Sequence, residues 1–101
     1  MAAYELISES EEPGCWVYVF DMSNDTGPSS RHHLRLAWAD YDLWVRDGAV
    51  EPTRVADAIL RFVLTHPAFD PLPQKIDSSH PRRRDANADQ AISGLIRDIS
   101  P

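Results

Sequence analysis

One cysteine, Cys15, stands in 101 residues, so an internal disulfide is excluded and nothing points to an oxidising compartment. No apolar run approaches the ~20 residues that a membrane-crossing helix needs. The opening MAAYELISESEE lacks the basic start and apolar stretch of a signal peptide. HExxH, CxxC and GxSxG are all missing, and no two histidines stand at helical i, i+4 spacing. Positive charge is not in excess either: the formal charge is −6, where a dedicated nucleic-acid binder is usually basic. These absences leave a soluble cytoplasmic protein as the expectation, with no membrane association, no cofactor and no bound metal.

What is present suits one α+β domain over residues 1–101, long enough to build a core without staples. Hydrophobic residues make up 43% and charged residues 26%, fractions that separate this chain from disordered ones. Charge is uneven along it. Residues 1–51 hold ten acids and three bases, and residues 52–101 hold six acids and seven bases, so the acidity belongs to the first half.

The stretch PTRVADAILRFVLTH, residues 52–66, reads as the main helix. Arg54, Asp57, Arg61 and Thr65 form one narrow polar stripe, and the rest of 55–64 is apolar over roughly 240° of the circumference. A helix so apolar requires cover on more than one side. Pro52 suits its first turn, and Pro67 ends it.

Three strands precede it, over residues 3–8, 15–22 and 32–38, and short loops join them into an antiparallel meander. Glu11-Glu12-Pro13-Gly14 is the first turn, with Gly14 taking the positive φ. CWVYVFDM is apolar on both faces, and Leu34, Leu36 and Trp38 are expected to face Ile59, Phe62 and Val63. A short helical turn over 40–46 is expected next, capped by Asp40 and closed by Gly48. Residues 67–86 carry four prolines and no periodicity, and read as an extended or mobile segment. Ile92, Leu95, Ile96 and Ile99 mark a C-terminal helix over 88–98, with Asn87 and Gln90 spaced as a capping box.

Four sets of residues carry candidate chemistry. Trp38, Asp40, Tyr41 and Trp44 have the composition of an aromatic, acidic cup for a cation, although core packing and helix capping explain them as well. Arg82, Arg83 and Arg84 suit a phosphate or an acidic surface, including the acidic half of this same chain. Ala58, Leu60, Phe62 and Leu64 are the helix flanks left for a second chain if nothing else covers them. His32, His33, His66 and His80 are scattered, so a site would need one of them to meet a carboxylate in three dimensions. Asp77-Ser78-Ser79-His80 has the residue types of a hydrolytic triad, but it also reads as a polar turn.

The expectation is therefore a non-catalytic protein-binding or regulatory module, open to homodimer formation. The alternatives are a small enzyme or metal protein with a His/Asp site, and a nucleic-acid accessory protein acting through Arg82 to Arg84. No catalytic residue is assigned.

Overall fold

A computed structural model describes residues 3–24, 27–45, 50–69 and 71–99. Strand β1 (Ala3–Glu12) turns through Pro13-Gly14 into β2 (Cys15–Asn24), and β3 (Gly27–Ala37) follows. Gly14 takes φ 83°, the left-handed conformation expected of it after proline. Helices α1 (Trp38–Trp44) and α2 (Pro52–Thr65) come next, then a 3-10 turn (Pro67–Phe69). The chain continues into β4 (Lys75–Asp77), α3 (His80–Arg84) and α4 (Ala88–Ile99).

The sheet has four strands in the order β1-β2-β3-β4, and it is mixed. β1, β2 and β3 form the antiparallel meander, whereas β4 runs parallel to β3 with Leu34 opposite Ile76. The expected three-stranded antiparallel sheet is thus corrected by one parallel edge strand. Three residues are too few to show an alternating pattern, and their partner lies more than 40 positions away, so the sequence gives no local signal for β4. Residues 67–86 supply the 3-10 turn, this strand and α3.

Burial alternates along the strands as a two-layer structure requires. Tyr18, Phe20, Met22, His32, Leu34 and Leu36 are buried on the helix side. Val17, Val19 and His33, on the other side, are half-buried, and Arg31 and Arg35 are exposed. Cys15, at the start of β2, is buried on this face too, while its other described side chains are half-buried or exposed. Leu6 precedes a bulge that shifts the β1–β2 register before Ser8. Beyond it Glu9, Glu11 and Glu12 line the outer strand, where charge discourages pairing with foreign strands.

Val55, Ala56, Ala58, Ile59, Leu60, Phe62 and Val63 of α2 are all buried, in one cluster with the sheet side chains. Ala88, Ile92 and Ile96 of α4 join that cluster, as do Trp44, Val45 and Phe69. The apolar excess of α2 is therefore covered within the chain. Each such side chain contributes about 1.5–3 kcal/mol when fully buried.

Two local expectations change. β3 stops at Ala37, where the Trp38 amide bonds Gly14 O at 3.0 Å, and the chain coils into α1. Trp38 therefore leaves the strand alternation, stays 41% exposed, and leans on Trp16 with ring centroids 6.1 Å apart. Asp40 does not cap α1: the N-cap is Ala37, and Asp40 lies one turn inside, buried. Gly48, the expected end of that helix, lies outside the described residues. At α4, Asp85 Oδ1 accepts the Asn87 amide at 2.8 Å.

Candidate functional site

Two of the predicted sites turn out to be halves of one internal structure. Arg82 of α3 places Nη1 2.8 Å from Asp40 Oδ1 and Nη2 3.0 Å from Asp89 Oδ1. Its guanidinium carbon lies 5.8 Å from the centre of the Trp44 ring. Trp44 Nε1 donates to Asp89 at 3.1 Å, and Ser78 Oγ donates to Asp40 Oδ2 at 2.5 Å. Hydrogen bonding to Asp89 foremost, then to Asp40, holds the guanidinium above its ordinary pKa against the effect of burial. The acidic, aromatic cup thus receives a cation from its own chain. Trp38 takes no part in it. Tyr41 turns instead toward Trp16, at 5.3 Å, and gives its hydroxyl to Val50 O. Arg83 reaches Ser79 Oγ at 3.0 Å, and both Arg83 and Arg84 are exposed.

Ala58, Leu60 and Phe62 are buried inside the monomer and Leu64 is half-buried, so these four do not form an exposed face for a second chain. The sequence left open which element covers them. The sheet side chains, α4, Phe69 and Leu72 share one core with them.

Asp77-Ser78-Ser79-His80 forms a turn. Asp77 Oδ1 accepts the Ser79 amide at 3.0 Å and the Ser79 hydroxyl at 2.8 Å, which starts the chain into α3. Ser78 Oγ points to Asp40, and His80 Nδ1 accepts the Asp77 amide at 3.2 Å, so no serine of this run faces the histidine.

The histidines fall in three different settings. His66 Nδ1 accepts the Ala68 amide at 3.1 Å, which leaves Nε2–H to donate to Asp85 Oδ2 at 3.1 Å. Both of its nitrogens are committed, and no lone pair remains for base catalysis. His32 is buried between Phe20 and the 73–75 backbone, with Nδ1 2.7 Å from Pro73 O. A carbonyl only accepts, so Nδ1 carries a proton, and Nε2 lies 2.7 Å from Ser30 Oγ. Among the described residues no three histidine, cysteine or acidic side chains come together in a metal-binding group.

His33 and His80 meet on the uncovered face of the sheet. They line a hollow of about 450 Å³ with Val17, Arg35, Lys75 and Asp77. Parallel pairing sets Lys75 beside His33 and Asp77 beside Arg35, and the latter two join at 3.0 Å. His33 Nδ1 is shut off from solvent and has no hydrogen-bond partner among the described residues. His80 has its lone pair on the Asp77 amide, so its Nε2 is a donor. Asp77 is fully engaged: burial acts to raise its pKa, but Ser79 and Arg35 outweigh it and hold the carboxyl below its ordinary value. The donors that remain unmatched in this hollow are His80 Nε2–H and the Lys75 ammonium. Nothing in the sequence marked it, because β4 alone brings Lys75 to His33.

No helix of the described residues is long and apolar enough to cross a membrane. Compared with protein-family models, with curated proteins and with solved structures, the chain matches none of them.

Proposed function

We propose that this chain is a non-catalytic protein-binding module whose docking surface is the β3–β4 side of the uncovered sheet face, and that it takes an acidic segment. The observation that carries this is the exposed Lys75, in no ion pair among the described residues, in one hollow with the free Nε2–H of His80. An arriving carboxylate gains charge-assisted hydrogen bonds from the Lys75 ammonium and from His80 Nε2–H. Val17 and Val19 supply an apolar seam beside the hollow. Arg82, by contrast, is held inside the fold, which weakens the reading of residues 82–84 as a nucleic-acid grip.

The test is an oligoglutamate peptide titrated into the protein, read on the imidazole NMR signals of His33 and His80. Both signals are expected to move, less so at high salt, and less in Lys75→Ala. Signals that stay still at millimolar peptide would remove this reading.

A second reading rests on Ser30. Its hydroxyl lies 2.7 Å from Nε2 of His32, the ring nitrogen not bonded to Pro73 O, in a groove that includes Met22, Leu64, Phe69 and Leu72. That is the base–nucleophile half of a serine hydrolase site. A fluorophosphonate reagent that leaves Ser30 unmodified would dispose of it.

A further inference from the structure

The acidic, aromatic cup around Trp44 is filled by Arg82, but the fold builds a second one elsewhere. Pairing of Glu9 with Tyr18 and of Glu11 with Trp16 turns both carboxylates to the helix side of the sheet. There the start of α2 adds Glu51 and Thr53, and these residues wall a cavity of about 380 Å³. No lysine, arginine or histidine lines it among the described residues. Glu9, Glu11 and Glu51 are exposed and enter no ion pair among the described residues. Tyr18 belongs to the same wall, 1% exposed, with no hydrogen-bond partner for its hydroxyl among the described residues. After burial, Thr53 and Glu9 are the side chains that act on its phenol, so the hydroxyl end of the ring faces this cavity.

We infer that this cavity binds a primary alkylammonium group. Its polar atoms are acceptors: the three carboxylates, the Tyr18 oxygen, and the Thr53 oxygen, whose own proton goes to Glu9 at 2.8 Å. An ammonium brings three donors and a positive charge to them, and Trp16 adds the ring type that attracts cations best. A bare metal ion fits less well. No three acidic, histidine or cysteine side chains of the described residues converge closely enough to hold one, so the carboxylates surround a wider space. Acids also complement the positive end of α2, which begins here, and that half-charge opposes a cation. Three full carboxylates outweigh it, and the helix end does not explain a buried phenol left without a partner. The cavity lies across the sheet from the docking surface proposed above and takes the opposite charge, so the two readings stand or fall separately.

The experiment titrates n-butylammonium chloride into the full chain, read on the Trp16 indole and Tyr18 amide NMR signals, against sodium chloride of equal ionic strength. Saturable shifts are expected with a Kd of ~1–10 mM, as suits one ammonium group in an open site, and none with n-butanol. Glu11→Gln combined with Glu51→Gln, both at exposed positions, is expected to weaken binding about ten-fold. Tyr18→Phe is expected to weaken it about three-fold without loss of stability in urea. Glu5→Gln with Glu12→Gln makes the same charge change on the other side of β1, opposite Asp21 and Cys15, and should leave the Kd where it was. N-acetyl-lysine methylamide carries the same group. Tighter binding of it than of butylammonium assigns the site to a partner's lysine side chain, and the reverse assigns it to a free amine. No saturable shift by ~50 mM butylammonium, well above that Kd, overturns the inference. Equal losses from the two glutamine pairs overturn it as well, since general acidity would then account for the binding.

Discussion

Arg82 stands 2.8 Å from Asp40, and the two residues come from opposite charge halves of the chain, 42 positions apart. Asp40 is buried and Arg82 is about one-third exposed. Around them Ser78, Trp44 and Asp89 complete a network that ties α1, α3 and α4 to one another and to the end of β4. Removing the cation leaves a buried carboxylate without its counter-charge. Arg82→Gln is expected to cost about 2–3 kcal/mol, below the usual cost of breaking a buried pair because solvent reaches the guanidinium. Adding Asp40→Asn should recover part of that loss, with a coupling of ~1–2 kcal/mol in a urea-unfolding cycle. Strict additivity of the two changes would show that the pair contributes nothing as a pair.

Tyr18 is 1% exposed, and its hydroxyl has no hydrogen-bond partner among the described residues. The nearby Thr53 hydroxyl is given to Glu9 at 2.8 Å. Burial above all pushes the Tyr18 phenol upward in pKa, which keeps it neutral. Tyr18→Phe removes an unsatisfied group and keeps the ring, so stability should hold or rise by up to ~1 kcal/mol. A clear loss in thermal or urea unfolding would mean that the hydroxyl is bonded.

Gly14 supplies the positive φ of the first hairpin, and an added Cβ would meet nothing within 4 Å. The effect of Gly14→Ala is therefore backbone strain alone, about 1–2 kcal/mol. Gly14→Asn, which tolerates that conformation better, should cost less. Equal losses from both in urea denaturation would place the cause elsewhere.

Acid should loosen both ends of α3, at Asp77 and Asp85. The Asp77 carboxyl, despite burial, is held below its ordinary 3.8 by Ser79 and Arg35. Asp85 is lowered from the same value by the Asn87 amide first and His66 second. A carboxylate with a depressed folded pKa stabilises fully above the unfolded value, and that contribution drains away as pH falls toward the folded one. For these two groups stability is flat above about pH 5 and falls below about pH 4. Urea midpoints taken from pH 6 to pH 2.5 should show this limb, shallower in Asp77→Asn. An identical limb in the variant would contradict the assignment.

Much of the fold was written locally. The alternation of CWVYVFDM and of residues 32–37, the Pro13-Gly14 turn and the long apolar stretch from Val55 to Leu64 each follow from neighbours a few positions apart. So does α4, whose Ile92 and Ile96 recur with the helical period and are both buried. Trp38 misled because a period of two was carried one residue past the point where the backbone turned helical. The cation for Trp44 and Asp40 was in plain sight as Arg82, but composition cannot say which arginine meets which carboxylate.

By itself, then, the sequence determined the meander, the two long helices and the demand that α2 be covered, because period and turn chemistry are short-range properties. Only the tertiary structure decided what does the covering, how Asp40 is neutralised, and that Lys75 stands beside His33. Those depend on contacts across 30 to 50 residues, where pairing is chosen by competition among all the surfaces of the chain at once.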